Sequence, residues 1–356
     1  MMMKSIKSLL AESPNLTSIP STYIFTQNIH DDHHHHLQAS VLEHPADQEQ
    51  IPIIDFSLLT SSDPLQRSKA IKDLGKACED WGFFMVINHG VAEELMDAIM
   101  EACRGFFNLS EEEKKEFEGK RMLDPIRCGT SFNPSLEKVF FWRDFLKVFV
   151  HPQFHSPSKP PAFSEACLEY CKKSQEVTQL LLEGISESLG LEPNYITKAM
   201  NLELGSQMLA ANLYPPCPQP ELAMGMPPHS DLGLLTTLIQ NGIDGLQVQH
   251  NGNWVNINVI PNSILFNIGD HLEILSNGKY KSVLHRAVVN NKETRMSIAI
   301  ANGPALEAFV SPAPKLVEHE NHPQAYIGMK YKDYYQLQQS SKLDGKSCLD
   351  RLRISN

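Results

Sequence analysis

Three residues of the types that bind transition metals stand at two places in the chain. His229 and Asp231 are one residue apart, and His285 follows after 53 intervening residues. Alternate residues of a β-strand point to the same face, so His229 and Asp231 can reach one ion from the end of a strand. With His285 on a neighbouring strand, two imidazoles and one carboxylate would hold one face of an ion. This donor set suits ferrous iron and leaves octahedral positions open for other ligands.

A guanidinium and a hydroxyl follow shortly after. Arg295 and Ser297 lie in a segment that is otherwise apolar and has the pattern of a strand. An unpaired guanidinium is costly in such surroundings, so we expect Arg295 to meet an anion. Two interpretations are open: a buried ion pair with Asp or Glu, or a clamp on a ligand carboxylate with the Ser297 hydroxyl as a second donor.

The surrounding pattern predicts a β-sandwich or barrel. Short apolar runs divided by Pro, Gly and Asn extend from Gly205 to Val310. Asn251-Gly252 between two of these runs predicts a two-residue hairpin, because both positions tolerate positive φ. The front third alternates strand and helix patterns, and a long helix is predicted from about Ser164 to Leu189.

We therefore expect five regions. They are an amino-terminal extension that is largely mobile (1–50), a mixed α/β region (51–160), a helical spacer (161–204), a β-rich core (205–310) and a carboxyl-terminal helix and tail (311–356). The polar run His33–His36 lies in the extension, where a solvated linker is favoured over a metal site because no apolar shell surrounds it.

Composition excludes several classes of function. The 31 Lys and Arg against 42 Asp and Glu give a net charge of −11, which argues against nucleic acid as a partner. No apolar run reaches the length of about 18 residues that predicts a membrane-spanning helix. The first ten residues lack the apolar stretch and cleavage site of a secretory signal, and the seven cysteines contain no CxxC pair. We expect a cytoplasmic monomer whose partner is a small molecule.

Several motifs occur in one order along the chain. They are Ile-Pro-Ile-Ile-Asp at 51–55, Trp-Gly-Phe-Phe-Met-Val-Ile-Asn-His-Gly-Val at 81–91, Asn-Leu-Tyr-Pro-Pro-Cys-Pro-Gln-Pro at 212–220, His-Ser-Asp at 229–231, Asn-Gly-x-x-x-Ser-x-x-His at 277–285 and Arg-Met-Ser at 295–297. Together they resemble the plant 2-oxoglutarate and Fe(II)-dependent dioxygenases of specialised metabolism, over most of residues 51–340.

The resemblance implies an α+β fold: a double-stranded β-helix, or jelly roll, flanked by helices, with a mixed α/β amino-terminal region. It implies Fe(II) bound by the three residues described first, and 2-oxoglutarate held at its far carboxylate by Arg295 and Ser297. It further implies that Tyr214 donates its hydroxyl to this cosubstrate and that Asn212 lines the same wall. From the residues alone, Tyr214 could equally be a core aromatic. O₂ would be the oxidant, ascorbate the reductant, and succinate and CO₂ the products from the cosubstrate.

The resemblance also carries a prediction about the substrate. Flavonoid-oxidising members often have large or charged residues at the positions of Ala210, Ala301 and Gly303, which are small here. We therefore expect hydroxylation or desaturation of a small but bulky, mainly apolar plant metabolite, with a terpenoid favoured and a flavonoid or alkaloid as the alternative. The predicted substrate-binding residues are Phe132, Phe141, Ala210, Ala301, Gly303 and Tyr334.

Two other classes of function stay open at this stage. A zinc hydrolase could use two histidines and an aspartate with a bound water, but it would leave Arg295 and Ser297 without a purpose. A non-catalytic small-molecule-binding module on the same fold is the second alternative, because a fold does not determine a function.

Overall fold

The structure is a computed structural model that describes residues 4–25, 50–119, 121–132, 134–317 and 323–354. Its helices are α1 Ile6–Glu12, α2 Phe56–Leu59, α3 Pro64–Asp80, α4 Glu93–Asn108, α5 Glu111–Lys114, α6 Phe163–Ser188, α7 Tyr195–Ala199, α8 Asp270–Leu275, α9 Tyr331–Gln339 and α10 Ser347–Asp350. Its strands are β1 Ile53–Asp55, β2 Phe83–Ile87, β3 Ile126–Thr130, β4 Asp144–His151, β5 Gly205–Tyr214, β6 Met226–His229, β7 Leu235–Gln240, β8 Leu246–His250, β9 Asn253–Asn256, β10 Ile264–Ile268, β11 His285–Ala287, β12 Arg295–Ala305, β13 Phe309–Val310 and β14 Met329–Lys330.

Two sheets form the jelly roll that the sequence predicts. The larger has the strand order β1-β2-β10-β7-β12-β5-β4-β3, and the smaller has the order β6-β11-β8-β9. All pairings are antiparallel except β1 with β2. Residues from both sheets line one cavity, so the site lies between them.

Strict alternation along the central strands separates the core from the cavity. Along β12, the side chains in the hydrophobic core are Met296, Ile298 and Ile300. The side chains between them line the cavity and are Arg295, Ser297, Ala299 and Ala301. This period of two is that of a β-strand, and it puts the apolar face of the sheet against α6.

Local signals in the sequence correspond to the elements observed. Asn251 and Gly252 have φ values of 48° and 80° in the β8–β9 hairpin, as their type predicts. Ser110 and Glu113 form a reciprocal capping box at the start of α5. Two predictions were wrong in detail. The sequence Gly-Asp-His-Leu at 269–272 predicts a turn into a strand, but this segment forms helix α8. The residue pattern from Pro323 to Leu337 predicts a helix, but the helix there is α9, which begins only at Tyr331.

The amino-terminal extension differs from the expectation of a largely mobile segment. Residues 4–25 pack against the jelly roll, with Ile6 and Tyr23 buried. The reason is Asp144, whose carboxylate accepts the Ile6 and Lys7 backbone N–H groups at 2.8 and 3.0 Å. A carboxylate at the start of a helix satisfies N–H groups that have no partner within the helix. The rest of the predicted mobile stretch, including His33–His36, lies outside the described residues.

Within the described ranges, no helix combines the length and the apolar character that a bilayer-spanning segment requires.

Candidate active site

The three predicted metal ligands converge between the two sheets. His229 ends β6, Asp231 follows two residues later, and His285 begins β11 directly opposite His229 in the β6–β11 pairing. The Asp231 Oδ1 atom lies 3.7 Å from His229 Nε2 and 3.5 Å from His285 Nε2. The candidate ligand atoms all lie within 4.8 Å of one another. The site predicted from spacing is therefore assembled by strand pairing.

Hydrogen bonds around the ligands aim their lone pairs at one point. His229 Nδ1 lies 2.8 Å from the Pro227 carbonyl oxygen, and His285 Nδ1 lies 3.1 Å from that of Val283. Donation at Nδ1 places the free lone pair of each imidazole on Nε2, the atom that faces Asp231. Asn267 Nδ2 donates to Asp231 Oδ2 at 2.9 Å and so orients the carboxylate.

The protonation states also suit a divalent cation. Burial, reinforced by His285, lowers the pKa of His229 to about 3. Burial acts to raise the pKa of Asp231, but both imidazoles and Asn267 outweigh it and hold that pKa well below its usual range. Burial acts against the charged form of His285, yet Asp231 raises its pKa overall. A cation would replace this proton, as metal binding to histidine requires. The donors therefore fit ferrous iron.

Arg295 lies further along the same cavity. It is 2% exposed, and its Nη2 donates to Gln240 Oε1 at 2.8 Å. Among the described residues its Nε atom has no hydrogen-bond partner, and no carboxylate lies within ion-pair distance. The guanidinium lies over the Tyr214 ring at 5.1 Å. Burial lowers the pKa of Arg295, and the adjacent Tyr214 opposes that shift. Arg295 is therefore a buried cation that can bind an anion which the chain itself does not supply.

The other predicted cosubstrate residues lie on the same wall. Ser297 pairs with Asn212, and Arg295 pairs with Tyr214, in the β12–β5 register. Sequence reasoning missed Arg143, which lies beside both residues of β5. Its Nη1 donates to Asn212 Oδ1 at 3.1 Å, and Tyr214 contributes to its electrostatic environment. Arg143 therefore fixes the orientation of the Asn212 side chain.

Only half of the predicted substrate residues line the cavity. Those that do are Phe132, Ala210 and Ala301. Phe141 is buried against Phe25, with ring centroids 6.2 Å apart. Gly303 lies against the Tyr331 hydroxyl, and the Tyr334 hydroxyl donates to buried Asp270. Gly303 was predicted from the resemblance, and Phe141 and Tyr334 from their aromatic side chains, and neither argument determines which face of an element a residue occupies.

Other residues complete the wall without having been predicted. Besides Arg143, the cavity is lined by Lys147 of β4 and by three residues at the carboxyl end: Gln338, Gln339 and Leu343. The alternation of buried and less buried residues along β4 was the signal that could have identified Lys147. No local pattern points to the carboxyl-terminal residues.

The carboxyl-terminal segment is attached to the metal-binding strand itself. Gly345 forms a parallel bridge with His229. Its N–H donates to the Pro228 carbonyl at 3.2 Å, and its own carbonyl accepts from the Ser230 N–H at 3.4 Å. The chain beyond it is anchored by fully buried Glu273, whose carboxylate binds Lys346 and Arg353 at 2.8 and 3.0 Å.

A jelly roll with two histidines and an aspartate in the cavity between its two sheets is the architecture of a non-haem iron oxygenase. Residues 205–304 match the family described as the 2OG-Fe(II) oxygenase superfamily. Residues 51–166 match the one described as the amino-terminal region of non-haem dioxygenase in morphine synthesis. The chain belongs to the 2-oxoglutarate and Fe(II)-dependent oxygenase superfamily.

Relatives and solved structures agree with this assignment. The chain is 46% identical over 305 residues to 2-oxoglutarate-dependent dioxygenase 19 of Oryza sativa subsp. japonica, which covers 85% of this chain and 90% of that protein. It is 41% identical over 309 residues to flavanone 3-dioxygenase 2 of the same organism, covering 85% and 88%. The crystal structure of JOX2 in complex with 2OG, Fe and JA superimposes with a TM-score of 0.86 at 30% identity, covering 100% and 99% of the two chains.

The protein is thus a dioxygenase that uses Fe(II) and 2-oxoglutarate. The predicted family, fold class, reaction class and cofactors are confirmed. The zinc-hydrolase and non-catalytic alternatives are set aside, because the family and the site agree on iron-dependent oxidation.

Proposed function

We propose that this dioxygenase hydroxylates or desaturates a small but bulky, mainly apolar plant specialised metabolite, with a terpenoid favoured. The observation that carries the proposal is that the three candidate metal ligands line the same cavity as a wall of small residues. Ala210, Ala299 and Ala301 leave room beside the metal site, and their own side chains offer no polar group to a substrate. Relatives named for specialised-metabolite oxidation support the broader class.

Each side chain of the site has a distinct task in this proposal. The bound ferrous ion, together with 2-oxoglutarate and O₂, supplies the oxidising chemistry. His229, Asp231 and His285 hold the ion from one side and leave its other side accessible. Arg295 binds the far carboxylate of 2-oxoglutarate, because a buried guanidinium without a carboxylate partner favours a bidentate anion.

The remaining residues position the reactants. Ser297 adds a hydroxyl donor to the same carboxylate, and the Tyr214 hydroxyl donates to it from the opposite strand. Asn212, held by Arg143, lines the side of the keto acid. The apolar walls and the carboxyl-terminal residues exclude water from the substrate, which keeps one C–H bond directed at the metal site.

Succinate formation in the absence of any organic substrate tests the reaction class. We expect slow, iron-dependent conversion of 2-oxoglutarate to succinate by the wild type with ascorbate present, and none by His285→Ala. His155→Ala serves as the matched control, because this histidine is only half-buried and does not line the cavity. Near wild-type activity of His285→Ala would contradict the assignment.

Extract screening tests the substrate class. The holoenzyme is incubated with plant extracts, and metabolites whose mass changes by one oxygen or by two hydrogens are identified. We expect terpenoids among the converted compounds. A flavonoid is the second candidate, because flavanone 3-dioxygenase 2 is 41% identical to this chain. Efficient turnover of flavanones with no turnover of terpenoids would contradict the proposal.

A further inference from the structure

Cationic and aromatic side chains alternate along one face of β4 and the residue before it. The Arg143 guanidinium, just before β4, lies 5.1 Å from the centre of the Phe145 ring. Lys147 Nζ lies 5.5 Å from the same ring and 4.9 Å from the centre of Phe132. The residues between them along β4 are buried on the other side of the sheet. Arg143, Lys147 and Phe132 all line the cavity.

Lys147 has no anionic partner. Within the part of the chain that the structure describes, its ammonium contacts the two aromatic faces and makes no hydrogen bond or ion pair. Burial lowers the pKa of Lys147 well below its ordinary value, and Arg127 and Arg143 lower it further, whereas Asp231 opposes them. An ammonium that is partly desolvated without a hydrogen-bond acceptor is unfavourable, so an anion at this position would be stabilised.

The strand register separates Lys147 from the cosubstrate anchor. Lys147 pairs with Ala210 across β4 and β5, whereas Arg295 pairs with Tyr214 across β12 and β5. Ala210 and Tyr214 are four residues apart, which corresponds to about 13 Å along a strand. Arg295, which anchors the far carboxylate of the keto acid, therefore lies at a different level of the sheet, and Lys147 faces a part of the cavity that is distant from this anchor.

The residues around Lys147 indicate the chemical character of a molecule that could bind there. At its level, the sheet continues through paired Ala210, Ala299 and Leu238, all of which line the cavity. Among these four cavity-lining side chains of the row, Lys147 is the cation and the other three are apolar, while the next residue of the row, Arg127 on β3, does not line the cavity. From the sequence, the small side chain at position 210 predicts that a polar contact with the substrate is missing. The adjacent strand nevertheless places a lysine beside this position.

We propose that Lys147 binds an acidic group of the organic substrate, a carboxylate or an acidic phenol, while Ala210, Ala299 and Leu238 contact its apolar body. The inference rests on the proposed function and narrows the substrate to a mainly apolar acid. The charge of the loaded site agrees with it. The positive charges of the ferrous ion, Arg143, Arg295 and Lys147 exceed the negative charges of Asp231 and 2-oxoglutarate, so an anionic substrate reduces the imbalance.

Matched pairs of acids and esters test the proposal. Cinnamic, 1-naphthylacetic and abietic acids and their methyl esters are titrated calorimetrically into anaerobic enzyme loaded with Fe(II) and 2-oxoglutarate. We expect the acids of one or more pairs to bind the wild type about tenfold more tightly than their esters, in keeping with a charge-assisted hydrogen bond. Lys147→Met should abolish the preference, and Lys147→Arg should retain most of it. Lys330→Met, whose lysine is exposed and paired with Glu307, is the control.

The outcomes separate this inference from the proposed function. Equal affinity of acids and esters for the wild type would overturn the inference, as would a Lys147→Met variant that weakens both forms equally, because that result indicates packing alone. Succinate formation without organic substrate is measured in parallel and should differ by no more than about twofold between Lys330→Met and the wild type. Its loss in the wild type would contradict the proposed function, whereas its persistence without any preference for acids would contradict only the role of Lys147.

Discussion

At the scale of single residues, surroundings determine what a charged side chain can bind. Arg295 and Glu273 are both almost completely buried. Glu273 is neutralised by Lys346 and Arg353 of the same chain, whereas Arg295 contacts the amide of Gln240 and the Tyr214 ring and has no carboxylate partner among the residues that the structure describes. One buried charge is therefore a structural anchor and the other remains available to a ligand.

The role of Arg295 leads to a specific kinetic prediction. Arg295→Ala should raise the KM for 2-oxoglutarate by about a hundredfold, because it removes a buried, charge-assisted contact worth roughly 1.5–3 kcal/mol. Arg295→Lys should recover part of the loss, since an ammonium keeps the charge but lacks the planar pair of donors. Succinate formation at varied 2-oxoglutarate concentration, with iron saturating, provides the measurement. An unchanged KM in Arg295→Ala would show that the anchor lies elsewhere.

Single residues also show what the sequence could and could not predict. The triad was predictable because a His-x-Asp spacing and a distant histidine are properties of the chain itself. Arg295 was predictable because a guanidinium in an apolar run has few structural explanations. Lys147 was not identified, because a residue of β4 reaches the cavity only if it lies on the face of the strand that lines the cavity. The pairing of β4 with β5 determines which face this is.

At the scale of elements, the contact between α1 and β4 joins the amino-terminal segment to the jelly roll. Asp144 at the start of β4 accepts two N–H groups of α1 and a hydrogen bond from Thr130. Tyr23 packs edge-on against Trp142 at 5.3 Å, immediately before that strand. The sequence predicted the elements of the core from their periodicity. It missed this docking, because the segment is short and its hydrogen bonds to Asp144 come from backbone N–H groups, which no residue type in α1 indicates.

The docking of α1 can be tested with Asp144→Asn. An amide offers one acceptor oxygen and places an NH₂ group against a backbone donor, so we expect a loss of about 1–3 kcal/mol in the free energy of unfolding. Trypsin should also cleave faster after Lys7, which is held in α1. Thermal unfolding and timed digestion are the measurements, and Asp97→Asn on the exposed face of α4 is the control. Cleavage at the wild-type rate would argue against this anchor.

At the scale of the whole molecule, segments from both ends of the chain close the catalytic core. Residues near the amino terminus pack behind Trp142 and Tyr214. The carboxyl end supplies Gln338, Gln339 and Leu343 to the cavity. Glu273 connects this end to the core, because it also accepts hydrogen bonds from the Tyr326 hydroxyl and the Ser282 N–H. The jelly roll is therefore complete only when both ends are in place.

Removal of the Glu273 charge should affect the whole molecule. Glu273→Gln leaves Lys346 and Arg353 without their carboxylate, and because these cations are 17% and 46% exposed, the loss of their hydrogen bonds costs about 1–3 kcal/mol. We expect a corresponding decrease in stability toward urea and a lower rate of substrate oxidation, since residues that line the cavity lose their anchor. Glu307→Gln, which breaks an exposed pair with Lys330, should change stability by less than about 1 kcal/mol. Equal effects of the two variants would disprove the anchoring role.

The bridge between Gly345 and His229 also has a consequence for biosynthesis. Translation proceeds from the amino terminus, and domains begin to fold while synthesis continues. Because Gly345 lies 116 positions after His229, the strand that carries His229 gains this neighbour only after residue 345 has been synthesised. A nascent chain that has not reached residue 345 therefore lacks the backbone hydrogen bonds that Gly345 makes with Pro228 and Ser230 beside the iron site.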